Sequence, residues 1–308
     1  MAWKPIRLIP DDTKYLFMRL SRFGFFISGI LCAASILLFT TIGLNYGIDF
    51  KGGTVLTIRT LNGPAKIDEL RTELNALGLG GVELQQFGGP SDVLIRLTSQ
   101  GNDQAEQAAQ AKVKEALGKD VEVRSTETVG PKVSEELTQQ ATAAVMLSLL
   151  FVMIYLWARF EWQFAVGAIL SLLHDVTLSI GLFCLIGLEF NLSIIAAILT
   201  IIGYSLNDTV VVFDRIREYL RKYKSMPLAD LIDFSINSVL PRTILTSVAT
   251  MMALIALYVF GGEVIRGFTF AMIWGVVVGT YSSIFIASPV LILLGTKREM
   301  PKAGSSVQ

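Results

Sequence analysis

The sequence predicts a polytopic α-helical membrane protein with six transmembrane helices and one α+β ferredoxin-like (βαββαβ) extracytoplasmic domain between the first and second spans. Three observations carry that expectation. The 308 residues are 52% hydrophobic and only 17% charged, where ordinary soluble domains carry about a quarter charged residues. The apolar residues gather in six runs of roughly 20 residues, each long enough for a hydrocarbon core of about 30 Å. Between the first two runs lies a segment of soluble composition that alternates strand and helix patterns. The mean hydropathy of +0.57 agrees with this division. Buried helices of a large soluble core are the alternative, but such a core would not produce this many long apolar runs.

The runs fall near 23–45, 140–158, 164–187, 190–214, 239–260 and 266–294. Each is expected to be helical, because lipid offers no partner for backbone N–H and C=O groups. Residues 1–22 precede the first run and carry Lys4, Arg7, Lys14, Arg19 and Arg22. A second basic set, Arg215, Arg217, Arg221, Lys222 and Lys224, follows the fourth run, and Lys297 and Arg298 open the tail 295–308. The connections "GLEF" and "GGEV" hold only Glu189 and Glu263 as charged residues. Lys and Arg in short flanks stay in the cytoplasm. Both termini are therefore expected there, with residues 46–139 on the opposite side and residues 140–294 forming the five-helix remainder of the bundle. The first run is too long and too deep in the sequence for a cleaved signal peptide.

Within 46–139, "GGTVLTIRTL" has strand character and "AKIDELRTELNALGLGG" is an amphipathic helix ending in glycines. "VELQQFGG" and "DVLIRLTS" read as two strands around a turn, "DQAEQAAQAKVKEALG" as a second helix and "DVEVRSTETVG" as a last strand. The order β-α-β-β-α-β is the split βαβ pattern and predicts one antiparallel sheet with two helices on one face. The segment has no GxSxG, Walker or HExxH pattern, so no enzyme is expected. Gly52 and Gly53 lack the Lys-Ser/Thr partner of a phosphate loop, and are expected to form the turn into the first strand. Cys32 and Cys184 both lie inside apolar runs, which leaves no disulfide framework and no CxxC site. With one histidine in the chain, neither a metal nor a cofactor is expected, and nothing points to nucleic acid.

The informative residues are those a bilayer should reject. A carboxylate at mid-span costs roughly 2.5–3.5 kcal/mol to insert and normally faces the bundle interior. In the stretch "GYSLNDTVVVFDRIRE", Asp208 lies seven residues before Arg215, about 10 Å of helix inside the basic boundary. Tyr204 shares its face at i, i+4, and Gly203 with Asn207 form the neighbouring one. Asp214, next to the basic loop, is expected to be an interfacial ion pair. The third run holds a second anomaly, "SLLHDVTLS", with His174 and Asp175. The fifth opens with "PRTILTS", which places Arg242, Thr243, Thr246 and Ser247 in its first two turns. A carboxylate, an imidazole and a guanidinium are thus expected to converge between three helices. Arginine stays charged, whereas a carboxylic acid taken out of water can exchange its proton near neutrality; together they suit a proton relay. The competing reading is an Asp208–Arg242 ion pair that only fixes packing. Interhelical polar contacts average about 0.6 kcal/mol, which is little beside the insertion cost. His174 and Asp175 are the weaker members, since Asp175 would also orient His174 for helix packing alone. The glycines of "GVVVG" at 275–279 are expected at close helix contacts, and Pro289 is expected to bend the last helix.

Several of these stretches, with "GIDFKGGT" at 47–54, "VGPKVSEEL" at 129–137, "RFEW" at 159–162, "RTILTS" at 242–247 and "FGGEVIRGF" at 260–268, closely resemble the SecD/SecF family of bacterial protein-export membrane proteins. The resemblance is to its SecF members, covers nearly the whole chain, and places it in the wider resistance–nodulation–division group of proton-driven transporters. It implies an inner-membrane protein with a periplasmic domain at 46–139 that pairs with SecD and assists the SecYEG channel. The pair would use the proton-motive force to help a preprotein emerge and be released, commonly in the company of YajC. It also implies Asp208, beside Asn207, as proton carrier, with Arg242 working with it; His174 and Asp175 have no comparable family role. A small-molecule exporter of the same superfamily is the main alternative. Such pumps generally carry about twice the spans and two outer domains in one chain. A non-energised scaffold for the channel is the third reading, and it would leave the charge of Asp208 dispensable.

Overall fold

The computed structural model describes residues 10, 13–118 and 120–296. Lys4, Arg7, Lys297, Arg298 and the tail "MPKAGSSVQ" lie outside the described residues. Among the described residues, six helices are long and apolar enough to cross a membrane: α1 (Phe17–Thr41), α5 (Pro131–Arg159), α6 (Trp162–Ile186), α7 (Leu192–Lys222), α8 (Leu228–Phe260) and the segment Val264–Leu294. The chain divides into two compact units. One comprises residues 1–44, 147–188 and 196–308; the other comprises 45–146 and 189–195.

In the helical unit, the apolar stretches of α6, α7 and the last segment are half or more buried, while those of α1, α5 and α8 face outward. The last segment is three pieces: α9 (Glu263–Ser282), a π-helical turn at Ser283–Ala287 and α10 (Ser288–Leu294). Proline lacks an N–H and crowds the carbonyl four residues back, so Pro289 disrupts the regular ladder. The turn widens there, and the Ser288 hydroxyl donates to the Ser283 carbonyl at 2.8 Å. The irregularity expected near Pro289 is thus present as a π turn.

Helices run past the apolar runs read from the sequence where polar ends find partners. α8 begins at Leu228, eleven residues before the expected span at 239. Its added turns bury Leu231, Ile232 and Ile236 in a core with Phe160, Phe164, Phe213 and Ile284. They also cap α1: Asp233 Oδ1 accepts the Met18 N–H at 2.9 Å, and Asn237 exchanges hydrogen bonds with the backbone N–H and C=O of Tyr15 at 3.0 and 2.9 Å. An orphan N–H in the first turn of a membrane helix, and one just ahead of it, are thereby satisfied by a distant segment. Glycines set the closest helix approaches. A Cβ on Gly275 would stand 2.2 Å from Ile201 Cγ1, and one on Gly279 would stand 3.0 Å from Ser205 Cβ. Small residues at membrane-helix contacts do this generally.

The second unit contains β1 (Asn45–Tyr46), α2 (Ile48–Lys51), β2 (Gly53–Thr60), α3 (Ile67–Asn75), β3 (Val82–Gln86), β4 (Asp92–Leu97), α4 (Asp103–Leu117), β5 (Val121–Val129) and β6 (Glu189–Phe190). Four strands form an antiparallel sheet in the order β3-β4-β2-β5. Alternate residues of β2 and β4, including Leu56, Ile58, Val93, Ile95 and Leu97, bury one face against Leu74 of α3 and Ala109, Val113 and Leu117 of α4. Each fully buried aliphatic side chain contributes about 1.5–3 kcal/mol. Across the sheet, Arg59 forks onto Asp92 with two bonds of 2.7 Å, and its guanidinium holds that carboxyl below the usual carboxylate range. Gly53 is where β2 meets β4: its φ is +118°, and a Cβ there would stand 2.3 Å from the Leu97 carbonyl oxygen.

β1 and β6, too short to be read as strands from the residues alone, pair in parallel as Asn45 with Glu189 and Tyr46 with Phe190. Tyr46, Phe50 and Phe190 form an aromatic cluster beside them, and Arg96 reaches Glu189 at 2.8 Å. Asp49, of "GIDFKGG", accepts the Leu192 N–H at 2.9 Å. Asn191 accepts that of Ile194 at 3.1 Å. Together they cap the start of α7.

Candidate functional site

Asp208 sits in the middle of α7, 7% exposed, and its two oxygens go to different helices. Thr243 of α8 donates to Oδ1 at 2.9 Å, and Ser283 of the π turn donates to Oδ2 at 2.7 Å. Both hydroxyl residues are buried. Ser283 also stands 3.0 Å from the Thr280 carbonyl. A hydroxyl has one hydrogen and two lone pairs, so Ser283 has two alternative arrangements. It donates to an ionised Asp208; when Asp208 carries a proton, it accepts from the acid and donates to the Thr280 carbonyl instead.

Asp175, on α6, is 1% exposed and anchors a second cluster. His174 Nδ1 lies 2.9 Å from Oδ1, while Ser205 of α7 and Ser282 of α9 donate to Oδ2 at 2.5 and 2.8 Å. Ser171 donates to Ser282 at 2.9 Å. On its other side, His174 Nε2 is 3.1 Å from the Ser28 hydroxyl, which is 3.0 Å from the Tyr281 hydroxyl. Tyr281 donates to the Gly24 carbonyl at 3.0 Å. This string satisfies the ring in either state. A neutral His174 gives Nδ1–H to Asp175 and accepts from Ser28; an imidazolium donates to Ser28, which passes a donor on through Tyr281 to Gly24.

The two clusters meet along α9 and α7. Ser282 serves Asp175 and Ser283 serves Asp208, neighbours in sequence at the junction where α9 gives way to the π turn. Ser205, on Asp175, lies three residues before Asp208 on α7. Gly275 and Gly279 admit the close approach of those helices. A short third string runs alongside, from the Tyr204 hydroxyl to Ser247 at 3.2 Å and on to Thr280 at 2.9 Å.

The structure therefore brings together Asp208, Thr243, Asp175 and His174, and it corrects the expected arrangement in two respects. Arg242 is exposed and has no ion pair with Asp208. Exposed while its neighbour Thr243 is buried, it leaves the carboxylate to hydroxyl donors. Asn207 is exposed with Gly203 on the outward face of α7, away from both carboxylates. Asp214 lies at the basic end, where Arg159 grips it at 2.7 and 2.8 Å, as an ion pair of the kind expected. Sequence reasoning missed Ser282, Ser283, Ser205 and Ser28. The one available signal was the hydroxyl-rich "TYSS" at 280–283, just ahead of Pro289. Chemically, a buried carboxylate and a buried carboxylate–imidazole pair, each held by hydroxyls that can reorient, can hold protons and exchange them with their hydroxyl partners.

Comparison with known proteins finds relatives over nearly the whole chain. Residues 109–297 match the family model for the C-terminal part of the protein export membrane proteins SecD/SecF, and residues 37–60 match that for the SecD/SecF GG motif. The protein translocase subunit SecF of Rhodobacter capsulatus is 42% identical over 323 residues, covering 99% of this chain and 96% of its own. The SecDF subunit of Brucella abortus is 45% identical over 303 residues, covering 98% of this chain. The crystal structure of SecDF, a translocon-associated membrane protein from Thermus thermophilus, superposes with a TM-score of 0.85 at 36% identity over 95% of this chain. The chain spans 40% of the length of each of these two SecDF proteins.

Proposed function

The chain belongs to the SecF branch of the SecD/SecF family of protein-export membrane proteins, and on that premise we propose that it works with SecD as a proton-driven accessory of the SecYEG channel. The reading has the pair draw on the proton-motive force to assist the late steps of preprotein translocation and release, with YajC alongside. The bundle lies in the bacterial inner membrane with both termini cytoplasmic. The four-stranded unit is read as a ferredoxin-like periplasmic module that shifts as the bundle changes state. Neither an enzymatic step nor a cofactor enters this scheme; the proton gradient is the energy source. One proton crossing 100 mV supplies about 2.3 kcal/mol, enough to bias a two-state movement over several cycles.

The observation that carries the proposal is the environment of Asp208. A carboxylate locked to a guanidinium would be a packing device, but Thr243 and Ser283 can serve both its protonation states. Asp208 is accordingly the carrier. Arg242, close by but unpaired with it, acts through its charge, and the Asp175–His174 cluster is a second proton-holding station one helix away. The exposed Asn207 face is left for contact with SecD. The relatives named above are protein-export subunits, which favours this reading over an exporter of small molecules, and a pure scaffold makes the opposite prediction for Asp208. In cells lacking their own SecF, this chain carrying Asp208→Asn should still co-purify with SecD. It should also lose the part of preprotein export that depends on the proton-motive force. Export at the wild-type rate by the assembled mutant complex would leave only the scaffold reading.

A further inference from the structure

A cavity of about 540 Å³ opens at the basic ends of α5 and α7, lined by Arg159, Asp214, Arg217, Glu218, Arg221 and Lys222. Four cations face two carboxylates, and both carboxylates are already engaged. Arg159 holds Asp214 through two bonds, and Arg215 holds Glu218 at 2.8 Å. Arg217, Arg221 and Lys222 have no ion pair among the described residues. Two of these cations are pre-positioned by aromatic rings. Arg217 lies over the Phe160 ring at 5.6 Å and donates to the Arg159 carbonyl at 3.2 Å, and Lys222 stands over the Tyr223 ring at 5.3 Å. Cations at helix C-termini complement the macrodipole and mark the cytoplasmic side. Those roles account for the charges but not for a cavity in which the surplus is gathered and left unpaired.

The surroundings identify the depth. Trp157 and Trp162 flank Arg159 in sequence and are 81% and 59% exposed, as aromatic side chains at the headgroup level are. One to two turns further into the span, Ile154 and Phe151 are also exposed on α5 and offer an apolar surface for acyl chains. We propose that this cavity binds the phosphodiester headgroup of an anionic membrane phospholipid, with its acyl chains along α5. Guanidinium groups match phosphate oxygens two at a time, and basic pockets between membrane helices on the cytoplasmic side take such headgroups. A soluble anion would use the cations and leave the apolar surface idle.

The test is thermal melting of the purified full chain in neutral detergent with added phosphatidylglycerol, phosphatidylcholine or inorganic phosphate. Phosphatidylglycerol should raise the melting temperature by roughly 2–4 °C over phosphatidylcholine, and inorganic phosphate should not. The Arg217→Gln/Arg221→Gln/Lys222→Gln variant should lose that difference. Should this variant not fold, Arg221→Gln alone should diminish the difference and Arg221→Lys should retain most of it. Equal shifts from the two lipids, or a phosphatidylglycerol effect that survives neutralisation of the cations, would overturn the proposal. A shift matched by inorganic phosphate would overturn it in favour of a soluble-anion site. A shift given by polyglutamate and not by phosphatidylglycerol would assign the cavity to an acidic protein segment instead.

Discussion

Asp208 has two hydrogen-bond donors, and they are not equivalent. Thr243 presents a hydroxyl on a regular stretch of α8, whereas Ser283 sits on a π turn with the Thr280 carbonyl as an alternative acceptor. On the proposed mechanism, Ser283 would be the side chain that passes a change of protonation at Asp208 to the backbone of the last helix. Ser283→Ala leaves the carboxylate with one donor. Hydrogen bonds to charged groups contribute about 1.5–3 kcal/mol, so if that interaction differs between the two states, proton-dependent export should fall roughly tenfold or more. Ser283→Thr should preserve most of it. Timed export of a signal-bearing protein in energised cells distinguishes the two. The acidic and imidazole members of this site were legible in the sequence because a bilayer penalises them, and they stand out of an apolar run. The serines were not legible. A hydroxyl in a membrane helix can satisfy itself on a carbonyl one turn back, as Thr200 does on Ala196 at 2.7 Å, so its presence alone says nothing of what it faces.

Secondary elements differ in how clearly they announced themselves, and the reason is length. The apolar centres of six helices are dictated by the solvent they must cross, and all six were found. Their ends were not, because at the boundary a helix continues wherever something satisfies its polar groups. α8 starts eleven residues early on the strength of Leu231, Ile232 and Ile236 in the core. β1 and β6, at two residues each, are too short to show alternation. The glycines of "GVVVG" read correctly as contact positions, and the structure identifies what they contact. An added methyl at Gly275 would press on the fully buried Ile201. Overpacking of this kind costs about 1–3 kcal/mol. Gly275→Ala is thus expected to lower thermal stability in detergent by that amount, and Ile201→Ala in the same chain should restore part of the loss. Simple additivity of the two substitutions would contradict the contact.

Across the whole molecule, the polar groups of the spans are gathered where three buried elements meet: α6 brings Asp175, α7 brings Asp208, and the junction of α9 with the π turn brings Ser282 and Ser283. Two buried carboxylates on neighbouring helices are costly to insert in a bilayer, and the proposed coupling to a proton gradient would give them a use. The family assignment says what such a machine would serve, and Asp208 is where the coupling would enter. The most direct measurement is infrared difference spectroscopy of the membrane-reconstituted chain with its SecD partner while external pH is stepped. A carboxylic-acid C=O band should appear and disappear with the step, persist in Asp175→Asn and vanish in Asp208→Asn. A set of pH-dependent bands that is unchanged in Asp208→Asn would mean that Asp208 does not exchange a proton, and the proposed coupling would fail.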